Sequence, residues 1–151
     1  MNRTEISEKN NHDWFESQPF CHEQFDPEFE EIAKRFLCGD VLNHGVLSNV
    51  QKSLIILTAL TTCQTWKAIP KYTMAALKIG TKPEEIKETL YQCAPYIGLE
   101  KVQCALEEVN QAFERAGICN SAQKQGTVTE ETRFEKGLAV QQEIFGKENI
   151  N

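Results

Sequence analysis

Apolar residues along this chain recur at helical spacing in six separate runs, and each run is bounded by residues that start or stop a helix. The first begins at Asp26-Pro27, a cap followed by a proline suited to the first turn. It carries Phe29, Ile32, Ala33, Phe36 and Leu37 before Gly39, its expected end. The second starts at Ser48, which with Gln51 makes a capping-box pair, and runs through Leu54, Ile55, Ile56, Leu57, Ala59 and Leu60. Periodicity alone leaves a buried strand open here, but the length and the cap favour a helix, apolar nearly all round and therefore central. The third holds Tyr72, Met74, Ala75, Ala76, Leu77 and Ile79, with Pro70 at its start or at a kink and Gly80 at its end. Thr81 opens the fourth, with Pro83 in the first turn and Glu84 completing a T-x-x-E box. Ile86, Leu90 and Cys93 form its apolar side, and Pro95 is its expected stop. The fifth sets Val102, Ala105, Leu106, Val109 and Phe113 on one stripe before Gly117. The last, over about 130–145, bears Phe134, Leu138, Ile144 and Phe145, a thin stripe that needs a partner surface. No run alternates with period two, so the expected fold is an all-α bundle of about six helices.

The remaining segments set the organisation. Between Ser7 and Glu31 there is no Val, Ile or Leu, yet Trp14, Phe15, Phe20 and Phe25 are present. Residues 1–25 thus read as an extended arm lying on a surface rather than building the core. A helical core over 26–118 follows, then a polar, glycine-punctuated linker over 119–128 and a C-terminal helical segment over 129–151.

Composition narrows the function. In 151 residues, 40% hydrophobic and 25% charged, a single buried core is expected and wholesale disorder is excluded. The 16 Lys and Arg against 22 Asp and Glu form no basic cluster, which argues against nucleic acid and against an anionic membrane as partners. The longest charge-free stretch, Ser53 to Trp66, is too short to span a bilayer, and the polar start has no apolar signal region, so a cytoplasmic location is expected. None of the six cysteines forms a C-x-x-C pair, and thiols are expected. Cys21 with His22 is the nearest approach to a zinc pair, and His12 and His44 do not complete it, so no metal is expected.

Four segments carry a resemblance. They are Arg35-Phe-Leu-Cys-Gly-Asp40, Val46-Leu-Ser48 leading into Lys52-Ser-Leu-Ile-Ile-Leu57, Ala75-Ala-Leu-Lys-Ile-Gly80-Thr-Lys-Pro-Glu-Glu-Ile86, and Gln92-Cys-Ala-Pro-Tyr96-Ile-Gly98. Over about residues 28–116 the chain resembles the carboxymuconolactone decarboxylase family, whose helical fold is shared with the alkylhydroperoxidase D proteins. The resemblance implies that fold and a homotrimer or homohexamer with pockets at subunit interfaces.

It also implies one of two chemistries. The peroxidase form uses a C-x-x-C pair followed by histidine, and Thr65, Ala68 and Tyr72 stand at those positions here. Cys63 lies two residues before the first of them. The decarboxylase form needs no cysteine and no cofactor. It must hold a carboxylate, stabilise an enolate-like oxygen and return a proton to a small carboxylated lactone. For these roles the sequence offers Lys67 or Lys71 to hold the carboxylate, Tyr72 at the family's histidine position to donate to the oxyanion, and His44 as the best available proton carrier. Lys52 stands where the family often has arginine, Asp40 matches an acidic position that caps or pairs, and Tyr96 matches a family tyrosine expected to pack. Two alternatives remain: a thiol-dependent peroxidase using Cys63 or Cys93, and a non-catalytic oligomeric ligand-binding protein. The segment from Arg133 to Gly146 resembles the family's leading helix, displaced behind the core. It reads either as a permuted helix or as the start of a second copy, and docking on its own core or a neighbour's is the expectation.

Overall fold

The computed structural model describes residues 1–19, 26–118 and 125–150, so Cys21, His22 and Cys119 lie outside the described residues. Those residues contain helices and no strand. They form α1 (Arg3–Phe15), α2 (Pro27–Lys34), a π-helical segment (Arg35–Val41), α3 (Asn49–Thr62), a 3-10 turn (Trp66–Ala68), α4 (Ile69–Lys78), α5 (Pro83–Ile97), α6 (Leu99–Arg115) and α7 (Arg133–Phe145). The chain divides into two compact units, 1–121 and 122–151. None of the described helices is long and apolar enough to cross a membrane.

Local signals set most boundaries. The Asp26 carboxylate accepts from the Phe29 N–H at 2.9 Å and starts α2. At α3, the Ser48 hydroxyl accepts from the Gln51 N–H while the Gln51 side chain accepts from the Ser48 N–H, the reciprocal box expected. In the larger unit α3, α4, α5 and α6 pack on one another around Leu57, Ile69, Ala76, Ile86, Leu90, Cys93, Val102, Ala105, Val109 and Phe113. The fully covered Ile86 and Leu90, with Val102, Ala105, Val109 and Phe113, keep the faces read from periodicity.

Several expectations are corrected. Residues 1–25 do not begin as an extended arm: Asn2 and Glu5 form a capping box and residues 3–15 are helical. This helix does build core, because Trp14 and Phe15 close a second cluster with Cys38, Leu42 and Ala75. Gly39 does not end a helix. The chain passes through it in the π-helical segment, where α1 comes so near that a Cβ on Gly39 would meet Arg3 Cγ and Arg3 O at 3.3 Å. The wider π winding shifts backbone partners, and side chains of α1 reach two carbonyls there. The Ser7 hydroxyl donates to Lys34 O at 3.2 Å and the Asn10 amide donates to Cys38 O at 2.7 Å.

Around α5 the corrections are local. Lys82, not Thr81, caps it: the Glu85 carboxylate accepts from the Lys82 N–H at 2.9 Å. The buried Thr81 hydroxyl is instead 2.9 Å from Ser53 on α3, a tertiary contact the T-x-x-E pattern could not reveal. Pro95 does not stop α5, which continues to Ile97. The bond it forfeits would have ended on the carbonyl of exposed Tyr91, close to the helix end where few such bonds remain. The stop falls at Gly98, whose φ of +96° suits glycine and turns the chain directly into α6.

In the smaller unit, α7 begins after a turn in which the Thr129 N–H donates to the Thr132 hydroxyl, and ends at Gly146. It buries none of its residues, and Phe134, Val140, Ile144 and Phe145 are each more than half exposed.

Candidate functional site

Two of the site residues suggested by the sequence, Lys71 and Tyr72, stand side by side at the start of α4. Ile69, fully buried, anchors that end of the helix, and Pro70 in the first turn fixes its backbone where no N–H partner is needed. Thr73, Ala75 and Ala76 then face inward, which leaves Lys71 and Tyr72 half-buried. Tyr72 packs against both hydrophobic clusters. Its ring meets Phe15 of α1 edge-on, with centroids 5.4 Å apart and planes at 80°. Lys71 lies over the same ring, its ammonium 4.9 Å from the centroid, and donates to the Pro19 carbonyl at 2.6 Å. Lys78, two turns along α4, donates to His12 O at 3.0 Å and lies 3.5 Å from the Glu16 carboxylate. The N-terminal segment thus walls the Lys71–Tyr72 pair on one side.

Beneath the pair lies Cys38, fully buried. Burial pushes its thiol up to about 11, outweighing the opposing charges of Lys71 and Lys34, so at neutral pH it is protonated.

The structure places the other suggested residues separately. His44 is exposed in the turn after the π-helical segment, its N–H donating to Val41 O at 3.2 Å. Lys67 is exposed in the 3-10 turn, and Cys63 is exposed at the C-terminal cap of α3. That helix end carries partial negative charge, whereas reactive thiolates are commonly seated at the positive end. Lys52 braces the chain, donating to Leu42 O at 2.6 Å. Asp40 pairs with Arg3 through two contacts of 2.9 and 2.6 Å, the pairing role expected of it.

A surface groove of about 580 Å³ lies between α3 and α5, lined by Thr58, Thr62, Glu88, Thr89, Gln92, Cys93 and Tyr96. Tyr96 does not pack as expected. It stands 81% exposed at the groove because the helix continues past Pro95 and carries it outward. Cys93 is buried and its thiol donates to Thr89 O, and burial raises its pKa against a smaller opposing effect from Thr58. Among the described cysteines, Cys38, Cys63, Cys93 and Cys104 are all free thiols. Among the described residues no three His, Cys, Asp or Glu side chains gather as metal ligands.

Sequence reasoning missed Phe15 and Pro19 as part of this site. The signal that could have found them was the Asn2-Arg3-Thr4-Glu5 capping pattern, hidden by the lack of aliphatic residues after it.

Comparison with known proteins identifies relatives of the chain. The chain is 24% identical over 94 residues to the 4-carboxymuconolactone decarboxylase of Acinetobacter baylyi, a match covering 62% of this chain and 70% of that one. The model of the carboxymuconolactone decarboxylase family matches residues 27–111, a span that begins with α2 and ends within α6, more than half of the chain. The α3–α6 bundle and the segments flanking it are therefore those of a known group, and this chain belongs to the carboxymuconolactone decarboxylase family.

Proposed function

We propose that this protein is a cofactor-independent decarboxylase of a small carboxylated lactone, working in the cytoplasm as a homo-oligomer. The observation that supports this reading is the Lys71–Tyr72 pair, a cation and a phenol side by side on Phe15, with Tyr72 at the family's histidine position. Decarboxylation breaks the bond between a ring carbon and its carboxylate, releases carbon dioxide and spreads the electron pair toward the ring carbonyl oxygen. A proton must then return to carbon. The ammonium of Lys71 holds a carboxylate of the substrate, replacing the neutral Pro19 carbonyl with a charged and stronger acceptor. The Tyr72 hydroxyl donates to the developing oxyanion. A phenol, with a reference pKa of about 10, is a poor proton carrier at neutral pH, and an imidazole, at about 6.5, is a good one. His44 therefore takes the proton-return role, brought to the pair by loop movement or by a neighbouring copy. Cys63 has no part in this reaction. The α3–α5 groove lacks Lys, Arg and His on its lining and carries Glu88, so it suits an anionic substrate poorly.

The experiment is direct: carbon dioxide release and loss of lactone absorbance from 4-carboxymuconolactone, measured on folded protein. Turnover is expected, reduced by about a hundredfold or more in Tyr72→Phe and in His44→Ala. Folded protein that binds the lactone, seen as a raised melting temperature, but releases no carbon dioxide would replace this reading with that of a non-catalytic binder.

A further inference from the structure

α2 is strongly two-sided and buries none of its residues. Phe29 and Ile32 on α2 and Phe36 just beyond it recur at i, i+3 and i+7, and they are 57%, 56% and 60% exposed. Their spacing calls for burial, but α2 leans on the π-helical segment, and Lys34 bridges to Glu8 of α1 on another side. The apolar row is left outward. Single exposed apolar residues are ordinary, whereas three large ones in one row mark a contact surface.

The charges around the row indicate what covers it. The first half of α2 and its cap are acidic, with Asp26, Glu28, Glu30 and Glu31, and the end is basic, with Lys34 and Arg35. Glu28 and Arg35 are seven residues apart, two turns, and so flank the same edge of the row. Arg35 holds Glu31 of its own helix through Nε at 2.7 Å, which leaves its outer nitrogens as further donors. In an antiparallel pair related by a two-fold axis, an edge of one helix meets the same edge of the other running in reverse. Glu28 of each copy then faces Arg35 of the other, and Phe29 of each lies against Phe36 of the other. Parallel pairing would instead set the two acidic ends side by side. We propose that the Phe29–Ile32–Phe36 row is a two-fold, antiparallel interface with a second copy of this chain.

The interface is isologous, so its two ion pairs form or fail together. It rests on no part of the decarboxylase reading. It holds whether α2 joins monomers into dimers or trimers into hexamers, because in either case breaking it halves the mass.

Sedimentation velocity on the full chain, across about 1 to 100 µM to suit a small interface, tests it. The expected mass is an even number of chains, and Ile32→Asp, which puts a charge at the centre of the contact, halves it. Glu28→Arg and Arg35→Glu each oppose like charges and weaken association about tenfold, and combining them restores it to within about threefold of the parent. Helical circular dichroism of each variant separates lost association from lost folding, and the charge-swap series decides the question alone if Ile32→Asp does not fold. A parent with an odd number of chains, a mass unchanged by folded Ile32→Asp, or a double variant no better than the singles overturns the proposal.

Discussion

Phe15 and Tyr72, far apart in the chain, meet edge to face with ring centroids 5.4 Å apart, and through that contact α1 is joined to the start of α4. Phe15 is only 4% exposed and also supports the Lys71 ammonium, so one side chain carries both the packing of α1 and one wall of the candidate site. Phe15→Ala is expected to cost about 3 kcal/mol or more, in the range for a buried aromatic. Urea unfolding checks this, and a loss below about 1 kcal/mol would mean that α1 does not depend on the contact.

The buried hydroxyls of Ser53 and Thr81 are 2.9 Å apart, and Ser53 also donates to Val50 O at 2.8 Å. Having one hydrogen, Ser53 accepts from Thr81. Ser53→Ala therefore strands a buried donor and is expected to cost about 1–3 kcal/mol. Adding Thr81→Val removes that donor, so the double variant should be no less stable than Ser53→Ala. A double-mutant cycle that came out additive would dissolve the pair.

Gly39→Ala places a methyl group 3.3 Å from Arg3 O, a backbone atom that yields only if α1 moves. The expected cost is about 1–3 kcal/mol, the usual range for overpacking. Because α1 alone must shift, amide exchange should quicken in α1 and stay unchanged in α5 and α6; uniform quickening would contradict this.

Cys38 supplies the pH test. Its thiol has an ordinary reference value of 9.0 and is raised to about 11 by burial. Below pH 9 both folded and unfolded chains hold that proton. Between about 9 and 11 only the folded chain does, so stability falls as pH rises through this window, by on the order of 2 kcal/mol from this group. Cys38→Ala should flatten that part of the profile. A thiol reagent at neutral pH should label exposed Cys63 and Cys104 well before Cys38 and Cys93.

The sequence by itself determined what is settled within a few residues. The Asp26 cap, the Ser48–Gln51 box, Pro83 in the first turn of α5 and the apolar faces of α5 and α6 are all where the pattern put them. Such signals act between neighbours on one helix, through bonds to the next turn, so they survive whatever the rest of the chain does. Lys71 and Tyr72 are neighbours in sequence, so their places side by side at the start of α4 follow from the local helix alone.

Tertiary structure decided the rest. α1 was hidden because it packs through Ser7, Asn11, Trp14 and Phe15 rather than through an aliphatic stripe. Gly39 reads as a stop, but its value lies in the room it gives Arg3; Thr81 reads as a cap, but its hydroxyl is taken by Ser53. The row from Phe29 to Phe36 reads as core and lies outward, because α1 and the π-helical segment occupy the second cluster first. Each of these outcomes joins residues distant in sequence. Which surface reaches which is a competition among all the helices for the same buried volume, and no local pattern records its result.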